Sequence, residues 1–214
     1  MKIQISSSSR IIQQRNLRVT SLLPVAPLMI EHRVIERMIR IVKIKLGEFK
    51  TTNDPSEAFI DSLIDFIRTY ADQTHHGKEE DILFRDLKKK QISSEHKKIM
   101  EELIQDHANG RKATSQLKEA KKLYFSGRKE ALSVIIEKMD FLVNLYPKHI
   151  EKEDHRFFQP VMNYFSSEEK DRMLEEERVF DRRMIHRKYS QIVSDFEESV
   201  GVPSVTSKNW LEYL

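Results

Sequence analysis

The feature that most constrains this chain is an apolar stripe at helical spacing that takes in a histidine. Leu28, His32, Ile35, Ile39 and Val42 follow one another at intervals of three or four residues. This spacing places the side chains on one face of an α-helix, because the helix repeats about every 3.6 residues. The stripe predicts a helix over about residues 27–49, with His32 on its buried face.

Similar stripes predict helices over about residues 56–88, 93–125 and 128–158, and a further helix from about residue 166. The connections between them are short, which favours antiparallel neighbours. The sequence shows no alternation typical of β-strands and no internal repeat. We therefore predict an all-α protein, an up-down-up-down four-helix bundle with an additional C-terminal helix.

Composition limits the classes of protein. The 214 residues are 33% charged and carry a net charge of +3, which suits salt-bridged helices and argues against a nucleic-acid partner. No apolar run approaches the roughly 20 residues of a membrane span. The chain has no cysteine, so disulfides and thiolate metal ligands are excluded. Absence of cysteine fits a reducing compartment, and we predict a cytoplasmic location.

The ends of the chain differ from its middle. Residues 1–24 are basic, rich in serine and free of acidic residues, which resembles a transit peptide in outline. We favour a tail that is mobile or docked on the bundle. Residues 25–165 form the predicted bundle, and residues 166–214 form the C-terminal helix and a tail with Trp210.

Residues that bind metals lie on all four stripes of the bundle. A histidine and a glutamate four positions apart share one helical face, and two such pairs occur, His75 with Glu79 and His149 with Glu153. Buried carboxylates are costly unless they are paired or bound to a metal. Two pairs and two single histidines suit a dinuclear site in a four-helix bundle. The predicted ligands are His32, His75, Glu79, His107, His149 and Glu153.

Other histidines carry a weaker signal. His76 and Glu80 form a second pair, rotated about 100° from the first, so a rotation of the helix would exchange the two pairs. We keep His76 and Glu80 as additional ligands or as partners of the ligands. His96, His155 and His186 are predicted to be surface or structural residues.

The segments around these residues resemble a hemerythrin-like, or HHE cation-binding, domain over about residues 25–165. The matching segments are Leu28–Glu36, His75–Phe84, Asp106–Arg111 and His149–Asp154. The resemblance implies an up-down bundle around a non-haem di-iron centre, with the six predicted ligands holding two iron ions. Zinc and manganese are the alternative ions.

The chain departs from the pattern of the oxygen-carrying members in one respect. Those members have two histidines four positions apart on the third helix, whereas Leu103 and Arg111 stand four positions from His107. Their acid on the fourth helix is Asp, and here it is Glu153. One imidazole is missing from the pattern, which argues against reversible oxygen carriage. It leaves an open position for water, oxygen, nitric oxide or peroxide.

Three functions are consistent with these residues. The first is a di-iron protein that binds or senses O2 or NO, or that handles iron. The second is a di-iron redox enzyme for peroxide reduction or iron-centre repair, although no catalytic residue outside the ligands is predicted. The third is a structural interaction module with a zinc-filled or empty site. We favour a binding protein over an enzyme, with a diatomic ligand, no nucleic acid, no membrane and an unknown protein partner.

Overall fold

The computed structural model describes residues 22–181 and 185–202. All regular elements in these ranges are helical and no strand occurs among them, which confirms the all-α prediction. The predicted tail lies outside them at residues 1–21, as do residues 182–184 and the segment from 203 to 214 that contains Trp210. None of the described helices is both long and apolar enough to cross a lipid bilayer.

Four long helical segments occupy the predicted positions. Helix α1 spans Val25–Thr52, and α3 spans Ser94–Phe125. Helix α2 begins as an α-helix over Glu57–Asp65, is a π-helix over Phe66–His76 and Glu79–Phe84, and ends at Arg85–Leu87. After a 3-10 turn at Lys129–Ala131, helix α4 runs through Leu132–Lys152, a π segment at Glu153–Phe157, Phe158–Val161 and a 3-10 turn at Met162–Tyr164. In the region of the predicted C-terminal helix, the described residues form helical segments α5, Ser167–Asp181, and α6, Ile185–Ser199.

Local sequence signals set the helix ends. The hydroxyl of Ser56 accepts a hydrogen bond from the backbone N–H of Phe59 at 3.3 Å, and Ser93 caps α3 through His96 in the same way. These side chains satisfy backbone donors that the first helical turn leaves free. Helix α1 ends at Asn53, which adopts a left-handed conformation with φ 55°. Asparagine tolerates this conformation better than most residues, which explains why the turn falls there.

Ion pairs between helices show the relative direction of the helices in two neighbouring pairs. Lys50, late in α1, lies 3.0 Å from Asp140 in the first half of α4, whereas His32, early in α1, lies beside Asp154 near the end of α4. The end of α1 thus lies beside the first half of α4, and the start of α1 lies beside the second half of α4, so the two helices are antiparallel. The same holds for α2 and α3, where Lys121 pairs with Asp61 and Arg111 pairs with Glu80.

The apolar interior consists of two clusters along the helices. The larger cluster includes Ile35, Ile60, Leu117 and Leu142, and the smaller one includes Leu28, Leu83, Leu103 and Phe157. Along α1, α2 and α3 the predicted ligands lie between these two sets, and in α4 Ile150 of the larger cluster stands between His149 and Glu153. A polar layer thus interrupts the core at one level, which is where buried polar groups need partners.

The C-terminal helices pack on the first two helices and do not extend away from them. Tyr189 and Val193 of α6 belong to the larger apolar cluster, and Met173 of α5 belongs to the smaller one. His186 lies 3.2 Å from the hydroxyl of Tyr70 on α2. The described part of the C-terminal region is therefore continuous with the core.

Candidate metal centre

Helix α2 presents two adjacent histidines to the interior. His75 and His76 end a π segment, and their exposed fractions are 1% and 4%. In a π-helix each hydrogen bond spans five residues instead of four, and such segments occur frequently at functional sites. The 3.6-residue period favoured one histidine–glutamate pair on this helix, whereas both histidines are buried.

The predicted ligands from all four helices meet in this layer. On one side, the rings of His32 and His75 lie 4.6 Å apart, centroid to centroid. On the other side, the rings of His107 and His149 lie 4.9 Å apart. The six predicted ligands His32, His75, Glu79, His107, His149 and Glu153 are all buried.

Two glutamates lie between the two sides. Glu79 Oε1 is 3.4 Å from Nε2 of His75, and Glu79 Oε2 is 3.3 Å from Nε2 of His107. Glu153 Oε2 lies 3.1 Å from Nε2 of His149 and 3.2 Å from Nε2 of His32. Each carboxylate thus reaches both histidine pairs, which is the position of a ligand shared by two metals.

His76 adds a third imidazole to one side. Its ring stacks on that of His107 with centroids 3.8 Å apart and an angle of 11°. Ligand atoms of His76, Glu79, His107 and His149 all lie within 4.8 Å of one another, as do those of His32, His75, Glu79 and Glu153. The second helix therefore supplies an imidazole beside His107, where the third helix has Leu103 and Arg111.

Many buried polar atoms of these residues have no hydrogen-bond partner among the described residues. They are Nε2 of His32, His75 and His107, both ring nitrogens of His76 and His149, and both oxygens of Glu79 and Glu153. Burying so many polar atoms without partners is costly, and native proteins rarely do so. Cations bound between them would satisfy imidazole nitrogens and carboxylate oxygens alike, so the residues fit a metal pair.

A carboxylate contacts the opposite nitrogen of four of these histidines. Nδ1 of His75 lies 2.8 Å from Glu31, Nδ1 of His107 lies 2.6 Å from Glu80, and Nδ1 of His32 lies 2.7 Å from Asp154. Asp106 makes a longer contact of 3.5 Å with Nδ1 of His149. An Nδ1–H that donates to a carboxylate leaves Nε2 free for a metal. We call Glu31, Glu80, Asp106 and Asp154 the outer carboxylates.

Each outer carboxylate also pairs with a cation on its far side. Lys78 pairs with Glu31, Arg33 with Asp154, Arg111 with Glu80 at 2.7 Å, and Lys152 with Asp106 at 3.1 Å. These cations offset the charge of the outer carboxylates. None of these four cations pairs with Glu79 or Glu153, so the carboxylates of both glutamates remain available to a bound cation.

The protonation of the histidines follows from these contacts. Burial lowers the pKa of His32, but the hydrogen bond to Asp154 and the nearby carboxylate of Glu153 outweigh it and raise the pKa to about 9. Burial likewise lowers the pKa of His149, and the charge of Glu153 with the contact to Asp106 raises it to about 10. Burial and the neighbouring histidines hold the pKa of His76 well below its usual value. A metal must therefore displace protons from His32 and His149 at neutral pH.

Sequence reasoning missed most of the outer carboxylates and their cations. A signal for them exists, because they directly flank the ligands in the segments Glu31-His32-Arg33, Lys78-Glu79-Glu80, Asp106-His107 and Lys152-Glu153-Asp154. Glu80 was predicted as an additional ligand or a partner of one, and the structure places it against His107. The three other histidines lie apart from the centre or bond elsewhere. His155 is exposed, His96 lies 2.9 Å from the Tyr164 hydroxyl, and His186 pairs with Asp181.

An all-helical scaffold with two buried groups of imidazole and carboxylate donors around shared glutamates defines a helical metal-binding protein. The family model described as the hemerythrin HHE cation binding domain matches residues 23–161, which is more than half of the chain. The chain belongs to this family, as its sequence indicated. No curated protein and no solved structure matches the chain significantly.

Proposed function

We propose that this protein is a non-haem di-iron protein that binds or senses a small diatomic ligand, O2 or NO, or handles iron. The observation that carries the proposal is the pair of four-residue donor groups that share Glu79. One group would hold each metal, and Glu79 and Glu153 would lie between the two. The six ligands predicted from the sequence, together with His76, are the residues proposed to bind.

The donor set supports iron. Imidazole and carboxylate ligands suit iron, zinc and manganese, and the chain has no cysteine for softer ions. Bound iron would supply reversible electron transfer and an affinity for diatomic ligands. With both glutamates shared, the ion beside His76 would have five protein donors and the ion beside His32 would have four. Both numbers are fewer than an octahedral ion accepts, so a small ligand has positions to occupy.

The finer account of the fold belongs to the same proposal. We propose that α1 to α4 form an up-down-up-down bundle around the centre. Antiparallel contacts within the pairs α1–α4 and α2–α3 support this order. The cytoplasmic location predicted from composition also remains part of the proposal.

Metal analysis of the protein purified without added metal tests the function. We expect about two irons per chain, after anaerobic ferrous loading if necessary, and visible absorption that changes on exposure to O2 or NO. Substitution of both Glu79 and Glu153 with Ala should remove the metal, whereas Glu101→Ala at an exposed site should not. Zinc alone, or no metal after loading, would contradict the di-iron proposal. Catalytic turnover of peroxide would favour the redox enzyme instead.

A further inference from the structure

A cavity of about 410 Å³ lies between α2 and α3, next to the candidate centre. His76 and Tyr146 line it, and Arg68, Arg111 and Lys118 contribute cationic side chains. Its size is that of a small-molecule site, and it exceeds what a diatomic molecule requires. Because His76 belongs to both the cavity wall and a donor group, a molecule in the cavity lies against the proposed metal site.

Tyr146 supplies an unused hydrogen-bond donor at this wall. Its exposed fraction is 3%, and its ring lies nearly parallel to that of His76 with centroids 6.3 Å apart. The Tyr146 hydroxyl has no hydrogen bond within residues 22–181 and 185–202. A buried tyrosine hydroxyl normally has a partner, so this one is free to donate to a bound molecule.

The charges around the cavity favour an anion. Arg111 pairs with Asp72 at 2.6 Å and with Glu80, which contacts His107. Arg68 and Lys118 form no ion pair within the part of the chain that the structure describes, and both are exposed at the cavity. The acidic residues that line it are Asp72 and Glu119, so cations outnumber acids.

We propose that this cavity is the entry and holding site for a small monoanion, inorganic or carboxylate, that reaches the metal centre beside His76. Arg68 and Lys118 attract the anion, and the Tyr146 hydroxyl donates a hydrogen bond to it. The inference deepens the proposed function and rests on it, because the anion would complete the coordination of the ion held by His76, His107 and His149.

Stopped-flow and equilibrium titrations of the iron-loaded protein with azide and formate test this proposal. Arg68→Glu combined with Lys118→Glu should slow azide association about tenfold or more at low salt, and the difference should shrink at high salt. The control is Lys97→Glu combined with Lys112→Glu, which changes the net charge equally at exposed α3 positions that do not line the cavity. Association of neutral nitric oxide should be unchanged in both variants.

Tyr146→Phe tests the hydroxyl without removing the ring. We expect azide affinity to fall about tenfold through faster dissociation, with an unchanged metal content and melting temperature. A response to azide but not to formate would identify an inorganic anion, and the reverse a carboxylate. If the cavity variants bind both probes as the control does while two irons remain, the inference is wrong and the proposed function stands. A protein that takes up no metal would overturn both.

Discussion

Oδ1 of Asp154 lies 2.7 Å from Nδ1 of His32, and this contact joins the end of helix α4 to the start of α1. It is one of four such contacts, which together connect each of the four helices to the next. Each outer carboxylate contacts the histidine of the next helix: Glu31 of α1 contacts His75 of α2, Glu80 of α2 contacts His107 of α3, and Asp106 of α3 contacts His149 of α4. The orientation of each imidazole therefore depends on the helix beside its own.

Asp154→Asn should weaken metal binding without abolishing it. The amide is a poorer acceptor for the Nδ1–H of His32, so the ring is held less firmly and its Nε2 is a weaker ligand. We expect a loss of about 10–100-fold in metal affinity with two ions still bound at saturation. Titration against a competing chelator measures this. Asp171→Asn, at an exposed site, is the control, and equal affinities in the two variants would contradict the role of Asp154.

His76→Ala should reduce the metal content from about two ions per chain to about one. The donor group with His107 and His149 loses an imidazole, whereas the group with His32 and His75 keeps all its residues. Elemental analysis after dialysis against metal-free buffer provides the measurement. His155→Ala removes an exposed histidine and should have no effect. A full complement of two ions in the His76 variant would show that His76 is not a ligand.

Glu79→Gln should separate folding from metal binding. In the metal-free protein the change replaces a buried carboxylate whose oxygens have no hydrogen-bond partner among the described residues, so the melting temperature should stay the same or rise. If the centre binds ferrous ion as proposed, the ion should stabilise the native protein by mass action and raise its melting temperature. This increase should be largely lost in the variant. Thermal melts with and without metal test both points. An equal increase in variant and wild type would show that Glu79 does not bind the ion.

Leu142→Ala should destabilise the fold by about 2–5 kcal/mol, because it leaves a cavity in the larger apolar cluster. Leu142 has an exposed fraction of 0%, whereas the adjacent Phe141 is 40% exposed. Phe141→Ala is therefore the matched control and should cost much less. Urea denaturation of the metal-free proteins measures the free energy of unfolding. Similar losses of stability in both variants would show that Leu142 is wrongly assigned to the buried face of α4.

Glu177→Gln should change how stability depends on pH. Glu177 of α5 is buried without a hydrogen-bond partner among the described residues, and burial raises its pKa well above the usual value. The native state then holds a proton that the unfolded chain releases above about pH 4.5. This group therefore costs stability as the pH rises from that value toward its folded pKa.

The glutamine variant has no such proton to lose. Its melting temperature relative to wild type should rise between pH 4.5 and pH 7, and the two proteins should differ least near pH 4. Glu176→Gln on the same helix is the control, since Glu176 is only half-buried and pairs with Arg85. A constant difference across this pH range would show that Glu177 ionises normally.

The amino-acid sequence by itself determined the helices and most of the donor residues. Apolar periodicity marked the inner face of each helix, and His32, His75, His107 and His149 follow that period as Leu28 and Leu142 do. Serine caps and the turn at Asn53 are also local signals. For these features, the physical cause lies within a few residues of the chain.

Only the tertiary structure decided which further residues complete the centre. His76 is buried beside His75 in a segment wound as a π-helix, whereas the 3.6-residue period favoured His75 alone. Each outer carboxylate is next to one predicted ligand in the sequence, but it contacts a histidine on the neighbouring helix. Such a contact depends on the relative height and rotation of two packed helices, and no single stretch of sequence encodes either.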